Sequence, residues 1–133
     1  MTAKEYLGQA FFLDQRINSK IEQLSSLKNL AARTTAGYSD MPGSRNKDGF
    51  ERTMIKIIAL NREINNEIDR LIDLKAELTH RINSVEDIEQ RTLLELRYLC
   101  FKSWEDVAAG MHYTVRYIHM LHSRALLSFE KLI

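Results

Sequence analysis

Few residues of this chain restrict or cross-link its backbone: in 133 residues it has one cysteine, one proline and five glycines. The lone Cys100 can form no internal disulfide and has no second thiol beside it for a zinc knuckle, so a reducing, cytoplasmic compartment is expected. Without a low-complexity tract, and rich in Leu, Ile, Glu, Lys and Arg, the chain is expected to be all-α. No apolar run approaches the roughly 20 residues needed to cross a bilayer. The opening "MTAKEYLGQAFFLDQ" contains acids and lacks the layout of a signal peptide, so neither targeting nor a membrane partner is expected. An excess of one charge is also missing. The 19 Lys and Arg against 18 Asp and Glu leave a net +1, which excludes a strongly basic nucleic-acid coat but not a local anion-binding face. Nor is there a Gly-rich phosphate loop, a nucleophile elbow, an H-E-x-x-H or a carboxylate pair in a plausible pocket. The expectation is a non-enzyme without a cofactor.

What the chain does have is a repeated spacing. Phe50, Met54, Ile57, Asn61, Ile64, Ile68, Leu71, Lys75, Leu78, Ile82 and Val85 follow steps of four and three, interrupted only by Asn61 and Lys75. Such steps hold side chains on one stripe of a helix. Tyr6, Ala10, Leu13, Ile17, Lys20, Leu24, Leu27 and Ala31 repeat the spacing, so two helices are expected to face each other as a long antiparallel, coiled-coil-like hairpin over residues 1–83. The break falls in "TTAGYSDMPGSRNKDG", residues 34–49, which gathers Gly37, Pro42, Gly43 and Gly49. At about 1.5 Å per residue each arm is roughly 45 to 50 Å long, suited to oligomerisation or to binding a partner. Asn61 and Lys75 are expected to set register, and Glu63, Glu67, Arg70, Asp73, Glu77 and Arg81 to form a solvated face. Ile55, Ile58 and Leu60, and further on Ile72 and Leu74, widen the apolar stripe beyond one seam. A homodimer is expected to cover that excess; the alternative cover is Phe11, Phe12, Ile21 and Leu30 of the first helix.

From residue 84 onward a second unit, 84–133, is expected. Ser84 with Asp87 has capping-box spacing and opens a helix through "VEDIEQRTLLELRYL". Ser103 caps a second, short helix that ends near Gly110, and Thr114 caps a third. The last two match a helix-turn-helix, with small Ala108 at the crossing and Val107, Met111, Tyr113, Ile118 and Leu121 buried. Such a motif presents Thr114, Val115, Arg116, Tyr117, His119, Met120 and Ser123 to the major groove or its flanking phosphates, with Arg124 beside them. Acids outnumber bases in residues 84–106, yet none occurs from Val107 to Phe129. That suits double-stranded DNA, whose phosphates repel carboxylates.

"LLELRYLCFKSWEDVAAGMHYTVRYIHMLHSRAL", residues 93–126, resembles the helix-turn-helix of sigma factor region 4. "YSDMPGS", "IIALNREINNEIDRLIDLK" and this segment together resemble short phage and prophage proteins of Gram-positive bacteria, related to phage transcriptional regulators of the autolysin-regulator type. The resemblance implies a DNA-binding transcriptional regulator in a bacterial host cell. It departs at Val115, Arg116 and Tyr117, where sigma modules carry Arg-Glu-Arg, and at Met120, where they carry Gln; the −35 promoter sequence is therefore not its expected target. His112 stands where many such turns place a Gly with positive φ.

His119 and His122 share helical spacing, and His112 lies near them in sequence, but the segment lacks the further ligands a zinc site requires. No metal is expected. His119 reads as a DNA contact, His122 as a partly buried residue, and Trp104 as a core side chain against Leu96 and Leu99. Two other functions remain open: a phage assembly protein such as a small terminase subunit, and an adaptor that binds RNA polymerase through the hairpin. Oligomeric state separates the first from a regulator, and absence of DNA binding identifies the second.

Overall fold

In the computed structural model, residues 1–38 and 44–133 are described, with side chains described over 1–33 and 48–133. The fold is all-α. Its helices are α1 (Ala3–Leu7), α2 (Gln9–Tyr38), α3 (Ser44–Ile82), α4 (Ile88–Leu94), α5 (Trp104–Met111) and α6 (Val115–Glu130), with a π-helical turn, Glu95–Leu99, continuing α4. No described residue is in a strand. The expected break over 34–49 is narrower than its glycines suggest: α2 runs through Gly37 to Tyr38, and α3 starts at Ser44 and includes Gly49. Glycine lowers helix propensity by only about 1 kcal/mol, which a long helix absorbs. The remainder of that segment, residues 39–43, lies outside the described residues.

The chain forms two compact units, Met1–Leu13 with Leu71–Ile133, and Asp14–Arg70. The first unit joins both ends of the 1–83 segment to the C-terminal helices. In the first unit Ala3, Leu7 and Ala10 share one apolar core with Leu78, Ile82, Val85, Leu93, Leu94, Val107, Ile118, Ala125 and Phe129. Phe129 of α6 is fully buried and its ring lies 6.0 Å from that of Tyr6.

In the second unit the four-three stripe is the buried face. Ile17, Leu24 and Ala31 of α2 and Ile57 and Ile64 of α3 are buried, seven residues apart within each helix. Two expectations fail here. Asn61 is exposed, while Glu67, expected on the solvated face, is only 6% exposed. Glu67 Oε1 accepts from Lys20 Nζ at 2.9 Å and from Arg16 Nη2 at 3.1 Å, and Lys20 reaches Glu63 at 3.6 Å. The hydrogen bond from Lys20, reinforced by the charge of Arg16, outweighs desolvation and holds the Glu67 carboxyl below its usual pKa. Position 67 follows Ile64 by three and position 68 follows it by four, so both lie near the stripe; the opposing cations on α2 draw in the carboxylate.

Candidate nucleic-acid interface

Three local devices build the C-terminal helices. Asp87, not Ser84, caps α4: its side chain accepts from Gln90 N at 2.9 Å, while Ser84 Oγ bonds back to the His80 carbonyl. The α3–α4 connection is a tight turn, with Ser84 N on Arg81 O and Val85 N on Ile82 O, so helical geometry resumes only after Asp87. Ser103 and Thr114 cap as their positions predict, accepting from Asp106 N at 3.2 Å and Tyr117 N at 3.1 Å. Between α5 and α6 the turn has only three residues, and His112 adopts the left-handed conformation at φ 61°, ψ 39°, with its amide donating to the last carbonyls of α5.

This turn fixes the face that α6 presents. Ile118, Leu121, His122, Ala125 and Phe129 are buried, along with Val107 and Ala108 of α5. On the other side Thr114, Arg116, His119, Met120, Ser123 and Arg124 are exposed, and Val115 and Tyr117 are half-buried. The structure thus brings all eight sequence-predicted site residues onto one helix and its cap. No acid lies in the first turn of α6, whose N-terminus, where a helix carries partial positive charge, adjoins the exposed Arg116.

Tyr113 departs from expectation. It is 37% exposed rather than core, its ring lies 4.4 Å from that of Tyr117, and its hydroxyl donates to Glu89 Oε1 at 2.7 Å. That bond to a carboxylate, more than desolvation, raises the Tyr113 pKa. Glu89 therefore lies beside the turn, a placement that no local pattern in α4 signals, since its partner is 24 residues away.

Behind α6 lies an aromatic cluster. Trp104 is half-buried and packs on the same core as Leu96 and Leu99. The Arg97 guanidinium lies 4.3 Å over the indole, with His122 at 4.6 Å and His119 at 4.8 Å between ring centroids. His122 is 7% exposed and shares a 2.6 Å hydrogen bond with the Tyr98 hydroxyl. Burial, then the charges of Lys4, Arg97 and His119, push the His122 pKa down to about 4, and burial pushes Tyr98 up to about 12, so both are neutral near pH 7. Tyr98 belongs to the π-helical turn, whose wide pitch is closed by Cys100 N on Glu95 O and Lys102 N on Leu96 O, each at 3.1 Å. Among the described residues no group of three or more His, Cys, Asp or Glu side chains is placed to hold a metal ion. No described helix is long and apolar enough to cross a membrane.

No curated protein and no solved structure matches the chain. The family model described as protein of unknown function (DUF1492) matches residues 39–128, more than half of the 133, and the chain belongs to that family.

Proposed function

We propose that this member of the family is a DNA-binding transcriptional regulator of the phage type, which uses α5, the three-residue turn and α6 as a helix-turn-helix on double-stranded DNA. The outward face of α6 carries the proposal: six polar, aromatic or basic positions, Thr114, Arg116, Tyr117, His119, Ser123 and Arg124, with Val115 and Met120 among them, all exposed or half-buried in a segment without acid from Val107 to Phe129. Arg116, at the second position of α6, is the base-edge or phosphate contact; Thr114 and the capped N-terminus bind phosphate; His119 and Ser123 flank them. Two arginines on this face imply few phosphate contacts and a modest salt dependence. The test is selection of bound fragments from phage genomic DNA. A discrete set of retained sites supports the reading, and no retention even at low salt overturns it.

The regulator acts as a homodimer in this reading. Ile55 and Ile58, 67% and 55% exposed, support a paired surface on the Asp14–Arg70 unit, since Ile21 of α2 is itself exposed and does not cover them. The same face suits RNA polymerase in the adaptor reading, and DNA selection distinguishes the two.

A further inference from the structure

A cavity of about 380 Å³ opens at the start of α5, within the unit that holds both chain ends. Its size lies in the range of small-molecule sites. Of the eleven aromatic side chains in the protein, counted as five Phe, five Tyr and one Trp, five line this one space: Phe11, Phe12, Tyr98, Phe101 and Trp104. We infer that this cavity binds a small, flat organic anion, an aromatic carboxylate by class, with its ring among the aromatic walls and its charge met by Lys4 and Arg97.

The walls are held in place before any ligand arrives. Phe101 sits at φ 59°, a left-handed conformation that a bulky side chain adopts only when its surroundings enforce it. The π-helical turn sets that backbone, and the ring then meets Phe11 at 5.8 Å and the Lys75 ammonium at 4.5 Å. Arg97 is oriented twice, by its position over Trp104 and by the bond from Nη1 to the Lys102 carbonyl at 2.9 Å. Its other N–H groups make no further hydrogen bond among the described residues, and a planar guanidinium is the group best matched to a carboxylate. Lys4 lies exposed at the rim.

Charge selects the sign of the ligand. Lys4 and Arg97 face a single lining carboxylate, Glu5, which leaves the cavity net positive. Burial first, and then the charges of these same two cations, disfavour a proton on His122. A neutral aromatic molecule gains the walls but not the charge, and an aromatic cation is repelled. The inference does not depend on DNA binding, because none of these groups is on the proposed reading face.

Trp104 is the sole tryptophan, so its indole N–H gives a single cross-peak in a ¹H–¹⁵N spectrum of the full chain. Titration with 2-naphthoate should move that peak and the Gly8 amide together, saturably, with a dissociation constant below about 1 mM. The neutral 2-naphthalenemethanol should bind roughly tenfold more weakly, and so should 2-naphthoate to Lys4→Glu and Arg97→Gln. Lys4 is exposed, so Lys4→Glu keeps the folded spectrum and separates loss of charge from loss of fold. Shifts that fail to saturate, equal binding of acid and alcohol, or undiminished binding to Lys4→Glu would overturn the inference.

Discussion

The Tyr98 hydroxyl and the His122 ring share a hydrogen bond of 2.6 Å that ties the π-helical turn to the buried face of α6. Because the folded state keeps His122 neutral down to about pH 4, while an unfolded histidine takes up its proton near 6.5, the unfolded chain binds more protons between these values. Stability from this group is complete above pH 6.5, falls as the pH drops towards 4, and levels off below. Tyr98 acts at the other end: its pKa of about 12 exceeds the unfolded value of 10, so its contribution is complete below pH 10 and lost as the pH rises towards 12. Denaturant melts from pH 4 to 8 should show an acid loss of about 1 to 2 kcal/mol, after allowance for solvent screening, that is absent in His122→Phe. Tyr98→Phe should cost about 1 to 3 kcal/mol at pH 7, since it leaves the buried imidazole nitrogen without its partner.

Replacing His112 with glycine should stabilise the protein by about 1 kcal/mol. The residue is exposed and left-handed, so the change removes backbone strain and little packing. An unchanged or lowered melting temperature would contradict this account of the turn.

Glu67→Ala and Lys20→Ala should each destabilise the Asp14–Arg70 unit by about 1 to 2 kcal/mol. That is less than for a fully enclosed ion pair, because Arg16 and Glu63 remain open to solvent. The Glu67 carboxyl titrates below its unfolded value, so the contribution is present above pH 4.5 and fades as the pH falls through the lowered pKa. A double-mutant cycle measured by chemical denaturation, with little or no coupling between the two positions, would reduce the pair to a surface contact.

Arg116→Ala should weaken binding to selected DNA by roughly 1 to 3 kcal/mol while leaving the melting temperature unchanged, because Arg116 is exposed. His119→Ala should weaken it less. The slope of log affinity against log salt should correspond to about two to four phosphates per module. If Arg116→Ala binds as tightly as the parent while Val107→Asp fails to fold, α6 is structural and the adaptor reading takes its place.

The molar mass in solution should be twice the 15.5 kDa of the chain, and Ile55→Ser with Ile58→Ser should reduce it to one chain without loss of helix. A strict monomer at high micromolar concentration removes the dimer; a ring of many subunits favours a phage assembly protein such as a small terminase subunit.

Features that depend on short range were legible in the residues. Helix, the caps at Ser103 and Thr114, the left-handed His112 and the alternation of buried and exposed positions along α6 each follow from a few neighbouring side chains and backbone sterics. The acid-free face of α6 was legible for the same reason. Position across the fold was not. Whether 67 or 68 turns inward depends on Lys20 and Arg16 of the opposing helix, and Tyr113 leaves the core because Glu89 is there to accept its hydroxyl. Ser84 and Asp87 both have capping chemistry, and the tight turn after Ile82 decides between them. The aromatic cavity has no sequence signal, because Phe11, Phe12 and Trp104 meet only when the first residues join the core of the last helices. Periodicity identifies a stripe on one helix, but the partner of that stripe is set by packing among segments distant in the chain.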